Sequence, residues 1–175
     1  MRKVLMSAAV AALLVACSPP AQRDTAEAPQ TPPTVVACND VTPDASKPVT
    51  VGDELAVAAA ASDLRGGSIM PGTYDLVSAS RIGAATGWQG AQSVALDIAE
   101  AQTGGVTFNW AGTTPGGAID RWTASFTDTP QVRLSYTCGR VGDVEADFNA
   151  EADGLQLRLP DGASGRLQLN FERRG

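Results

Sequence analysis

From Thr73 onward the chain alternates apolar and polar residues with a period of two. Val94, Leu96 and Ile98 alternate with Ala95, Asp97 and Ala99; Val106, Phe108 and Trp110 with Thr107 and Asn109; Trp122, Ala124 and Phe126 with Thr123 and Ser125. The pattern continues through Val132, Leu134, Tyr136 and Cys138, then Val144, Ala146 and Phe148, then Leu155, Leu157 and Leu159, and finally Leu167, Leu169 and Phe171. With residues 73–80 these runs predict eight strands, each with one apolar and one wet face. The links are short and carry turn residues, as in Gln102-Thr103-Gly104-Gly105, Asp128-Thr129-Pro130, Asp153-Gly154 and Pro160-Asp161-Gly162. Short links make consecutive strands antiparallel neighbours. Eight strands with one apolar face can close on themselves and so remove exposed edges. The expected fold is all-β, an antiparallel eight-stranded up-and-down barrel, with a two-sheet β-sandwich as the alternative. Its outward positions are too polar for a barrel embedded in lipid.

The N-terminal third is of a different kind. Residues 53–64, DELAVAAAASDL, have an acidic start, strong helix formers and a Gly66-Gly67 stop, and predict one short helix. Residues 18–34, SPPAQRDTAEAPQTPPT, hold five prolines and no apolar period, and predict a disordered tether of at most about 55–60 Å. Before it stand Arg2 and Lys3, an apolar run from Val4 to Val15, and a small residue ahead of Cys17. That is the pattern of a secretory signal peptide, and the run is shorter than the roughly 20 residues of a membrane span.

Leu14-Val15-Ala16-Cys17 resembles the lipobox of bacterial lipoproteins. The resemblance implies removal of residues 1–16, a diacylglycerol thioether on Cys17 and acylation of the new amine. Two or three acyl chains anchor a protein stably where one does not. The expected organisation is a signal peptide at 1–16, a lipidated cysteine and tether at 17–34, and a barrel domain at 35–175. The location so implied is the bacterial envelope, with the serine after Cys17 compatible with the outer membrane facing the periplasm. Losing Arg2 and Lys3 takes the formal charge from −6 to −8. An acidic chain of this kind argues against nucleic acid as a partner.

The order of lipobox, tether, GGSIMPGTYDLVSAS, alternating strands with YTCG, and terminal LRLPDGASGRLQLNFERR resembles lipocalin-like small bacterial lipoproteins. Lipocalins carry a tryptophan on the first strand on which a late arginine packs; Arg173 is present here, but Pro71-Gly72-Thr73-Tyr74 offers no tryptophan. Tyr136-Thr137-Cys138 and Ala163-Ser164-Gly165 also resemble pieces of the membrane-bound inhibitors of c-type lysozyme, in which a Ser-Gly loop enters the lysozyme cleft. Residues 39–130 have no counterpart in that shorter family.

Beyond Cys17, Cys38 and Cys138 remain, and in an oxidising compartment they are expected to pair. Closing a loop of about 100 residues contributes roughly 4–5 kcal/mol by chain entropy. With no histidine, the Ser-His and Cys-His pairs of nucleophilic catalysis are absent. No lysine-bearing phosphate loop accompanies Gly66-Gly67 or Gly116-Gly117. These observations predict a non-enzymatic protein without a cofactor. Asp143, Glu145 and Asp147 fall on one strand face, where a solvated acidic face is favoured over a calcium site.

The tryptophans are the candidate contact residues. Trp88, in Gly87-Trp88-Gln89-Gly90, either plugs the core end or lies across the barrel mouth toward a partner; Trp110 and Trp122 are in phase with the core. A hollow barrel lined by Phe108, Trp110 and Trp122 implies a small apolar ligand. A filled barrel implies a structural or protein-binding role at its surface. Because seven of the aromatic residues fall on the apolar phase, the filled barrel is the expectation.

Overall fold

All eight alternating runs form strands, and the strands curl into a nearly closed barrel. The computed structural model describes residues 37–55, 64–102, 104–127 and 132–175. Its strands are β1 (Val51–Leu55), β2 (Gly72–Ile82), β3 (Val94–Glu100), β4 (Val106–Thr113), β5 (Ile119–Thr127), β6 (Arg133–Cys138), β7 (Asp143–Glu145), β8 (Asp147–Ala150), β9 (Gly154–Asp161) and β10 (Gly165–Arg173). From β2 to β7 each strand pairs antiparallel with the next, β8 pairs with β9, β9 with β10, and β10 returns to β2. The predicted up-and-down barrel is therefore present, and the sandwich is excluded by the β10–β2 pairing.

The count of ten strands corrects the expected eight at two places. The seventh run breaks at Ala146: β7 pairs with β6 and β8 pairs with β9, so one bent segment changes partner as it crosses the seam of the barrel. The second place is β1. The helix expected over 53–64 begins instead with strand residues up to Leu55, and the remainder, 56–63, lies outside the described residues. The reason is a free sheet edge. β2 pairs with β3 only from Gly72 to Asp75, and β1 then runs parallel to β2 along the edge β3 has left, Val51 opposite Ala79 and Leu55 opposite Ile82. Backbone groups on an open edge need partners, and this demand sets residues 53–55 in a strand rather than in the first turn of a helix.

A strap leads from Cys38 across the outside of β5, β4, β3 and β2 to β1. Cys38 is bonded to Cys138, as expected. Asn39 Nδ2 donates to the carbonyls of Trp110 and Trp122, and Arg121 Nη1 donates to the carbonyl of Val41. Beneath the strap the outward residues of four strands form a polar ladder. Thr73 Oγ1 donates to Asp97 at 3.1 Å, and Thr123 Oγ1 to Asn109 Oδ1 at 3.0 Å. The strap's far half is held by Asp75, whose side chain is only 5% exposed. Arg174 binds it at 2.6 Å and Lys47 at 2.9 Å. The hydrogen bonds from Arg174 hold the Asp75 carboxyl below the usual aspartate range, those from Lys47 act the same way, and burial opposes them.

Inside, the core is layered. Phe108 stacks on Phe126 at 5.0 Å, and Phe126 meets Phe148 edge-on at 5.1 Å. Two residues along the same strands, Trp110 stacks on Trp122 at 5.2 Å, with Tyr136 edge-on to Trp122 at 5.2 Å and Phe171 edge-on to Trp110. Below the phenylalanines the barrel end is crossed by residues 66–70. Gly66 bridges to Asn149, Tyr74 Oη donates to the Met70 carbonyl, and Ile69 packs on the core. This end is covered, with a recess of about 240 Å³ left between residues 67–69 and Gly105, Val106, Phe126 and Phe148. The opposite end is open.

Candidate functional site

The open mouth is built by the four connections that share that end: residues 83–93 between β2 and β3, 114–118 between β4 and β5, 139–142 between β6 and β7, and 162–164 between β9 and β10. Between them lies a cavity of about 420 Å³. Its walls include Trp88, Trp110, Trp122 and Tyr136, with Val144, Leu159, Leu167 and Leu169 opposite and Asp120, Arg140 and Asp161 among its polar residues. The volume lies in the range of small-molecule sites, and an apolar, aromatic wall with few polar groups is their usual make-up.

All three candidate tryptophans therefore come together. Phe108 does not; it belongs to the filled layer beneath, fully buried. Trp88 is 4% exposed, so its ring turns inward rather than outward to solvent. Several bonds hold it. Arg81 Nη2 donates to the Trp88 carbonyl at 2.9 Å, the indole N–H donates to the Gly90 carbonyl, and the Gly87 N–H donates to Asp161 at 2.7 Å. The last contact needs a glycine, since a Cβ at Gly87 would stand 2.3 Å from Asp161 Oδ1.

Trp122 carries the chemistry that the sequence did not single out. The Arg140 guanidinium lies 5.6 Å from the Trp122 ring centroid and 5.9 Å from that of Tyr136. Such cation–π contact is preferred by arginine. Its Nη2 also donates to Asp120, on the neighbouring strand β5, at 2.8 Å. The Trp122 indole N–H is buried without a hydrogen-bond acceptor among the described residues. Arg140 reaches this place because Gly139 precedes it. Gly139 has φ 78°, and a Cβ there would stand 2.1 Å from the Arg121 carbonyl oxygen. No other residue lets the chain pass β5 so closely. A Gly-Arg pair directly after a strand cysteine is a faint sequence signal, and only the turn gives it meaning.

The lysozyme-inhibitor-like pieces also reach this end. Ser164 is exposed in the β9–β10 turn, while Gly165 is buried against Ala85. Cys17 lies outside the described residues. The acidic triplet is divided by the break at Ala146. Asp143 pairs with Arg133 at 3.4 Å and Asp147 with Arg166 at 2.6 Å. Among the described residues no group of three or more histidine, cysteine or carboxylate side chains is placed to hold a metal ion. Arg173 lies against the Gly72 backbone and donates to the Pro71 carbonyl.

No protein-family model matches this chain, and no curated protein matches it. Among solved structures the chain is similar to a de novo designed fluorescence-activating β-barrel, at 11% identity and a TM-score of 0.39, over 60% of this chain and 94% of the designed one.

Proposed function

We propose that this chain is a non-enzymatic lipoprotein of the bacterial envelope, tethered through Cys17, whose barrel mouth binds a small, largely apolar ligand. The observation that carries the binding reading is the cavity of about 420 Å³ walled by Trp88, Trp110, Trp122 and Tyr136. The aromatic residues were expected to fill the barrel; the phenylalanine layer does so, and the tryptophan layer borders open space. Buried aromatic walls of this kind bind flat apolar groups by area and by stacking.

Titration of the purified protein with a naphthalene-based dye is expected to quench tryptophan emission saturably. Trp110→Ala is expected to weaken the dye by about tenfold or more, the equivalent of roughly 1.4 kcal/mol or above. Absence of saturable binding in the wild type would refute the reading. A surface-acting role then gains from the rim itself, where Val141 is 95% and Ile119 42% exposed.

The anchor has its own test. Detergent phase partitioning of protein expressed in a bacterial host is expected to place the wild type in the detergent phase and Cys17→Ala in the aqueous phase. A wild type found in the aqueous phase would sink the lipoprotein assignment without touching the cavity.

A further inference from the structure

We infer that the ligand of the mouth cavity is a planar aromatic acid, with its ring system against the tryptophan wall and its carboxylate on Arg140. This rests on the binding reading above and goes further by fixing the ligand's charge.

The inference follows from which polar groups of the cavity are already committed. Of its two carboxylates, Asp120 receives the hydrogen bond of Arg140 at 2.8 Å and Asp161 that of the Gly87 N–H at 2.7 Å. Arg140 is the cationic side chain among the lining residues, and of its five N–H groups it gives Asp120 one hydrogen bond, from Nη2. A cation with N–H groups to spare, set against the aromatic wall, selects a ligand group that brings oxygen acceptors.

An organic cation is the opposite choice, since aromatic cages also hold ammonium groups. Here the faces of Trp122 and Tyr136 already carry a cation, the chain's own Arg140. A second positive charge would meet it at close range. A ligand carboxylate instead finds a guanidinium held in place by two rings, and Arg–carboxylate pairs readily become bidentate. Displacing Asp120 costs little. The Arg140–Asp120 pair is 46% and 42% exposed, and solvent-facing pairs of this kind contribute little. Once released, Asp120 is free to be solvated at the rim. Trp122 is already stacked by Trp110 and covered by Arg140, so the ring surface left to a flat ligand is that of Trp88 and Trp110.

Calorimetric titration of the full chain with three probes of one shape tests this: naphthoate, its neutral amide, and naphthylmethylammonium. Naphthoate is expected to bind at least about tenfold more tightly than the amide, and the ammonium more weakly than either. Arg140→Gln is expected to bring naphthoate down to the amide's affinity while leaving the amide unchanged. Asp120→Asn, which removes the internal competitor and leaves the barrel wall intact, is expected to tighten naphthoate alone. Equal affinity for the acid and the amide, or preference for the ammonium, overturns the acid assignment and leaves the cavity as a binding site. Failure of all three probes overturns the binding reading itself.

Discussion

Phe108→Ala is expected to destabilise the barrel by about 3–5 kcal/mol, the usual cost of deleting a buried aromatic ring. Phe108 is fully buried, stacked on Phe126, and sits between the tryptophan layer above and the segment that crosses the closed end below. Its neighbours are held by strand hydrogen bonds on β3, β4 and β5, so they cannot move in to fill the gap. Urea unfolding followed by far-ultraviolet circular dichroism would measure the loss. The affinity of the mouth for an aromatic probe is expected to change little, because Phe108 does not line the cavity. A stability change below about 1 kcal/mol would show that this end collapses freely and is not close-packed.

The second large effect is on the staple. Replacing Cys38 and Cys138 together by serine is expected to lower stability by about 2–5 kcal/mol. The bond closes a loop of 100 residues, which includes β1 to β5 and most of β6. For a domain of this size each kcal/mol moves the melting temperature by roughly 3–4 °C, so a fall of about 10 °C is expected in calorimetry. The ring of strands does not depend on the bond, since β10 still pairs with β2. What loosens is the strap, which at that end keeps the Asn39 and Val41 contacts with β4 and β5. Unchanged stability of the double variant in unreduced samples would show that those contacts suffice alone.

The alternation of apolar and polar residues by itself narrowed the fold to an antiparallel barrel or a two-sheet sandwich, and the pairing of β10 with β2 decided for the barrel. A period of two with short turns leaves few other ways to bury one face of each of eight consecutive strands, and the pairing of Cys38 with Cys138 was expected and is present. The aromatic residues were also legible as interior, because Phe108, Trp110, Trp122, Phe126 and Phe148 all sit on the apolar phase. Three further things needed the tertiary structure. Periodicity set Cys138 in phase with Leu134 and Tyr136, on the inner face. A register shift against β5 pairs Tyr136 with Ala124 but Cys138 with Thr123, which turns the cysteine to the outer face where the strap passes. Alternation also could not say that β3 would leave the edge of β2 free and draw in β1, whose residues 53–55 were expected to begin a helix. Nor could it say which rings fill the barrel and which border a cavity, since a phenylalanine and a tryptophan two residues apart carry the same in-phase signal. That difference is one of height along the barrel axis. The closed end is covered by residues 66–70, while at the open end the turns of the chain stand around the rim and bring Arg140 over Trp122. Faces are local and repeat every two residues; height, register and closure depend on partners far away in the chain, and only the folded ring supplies them.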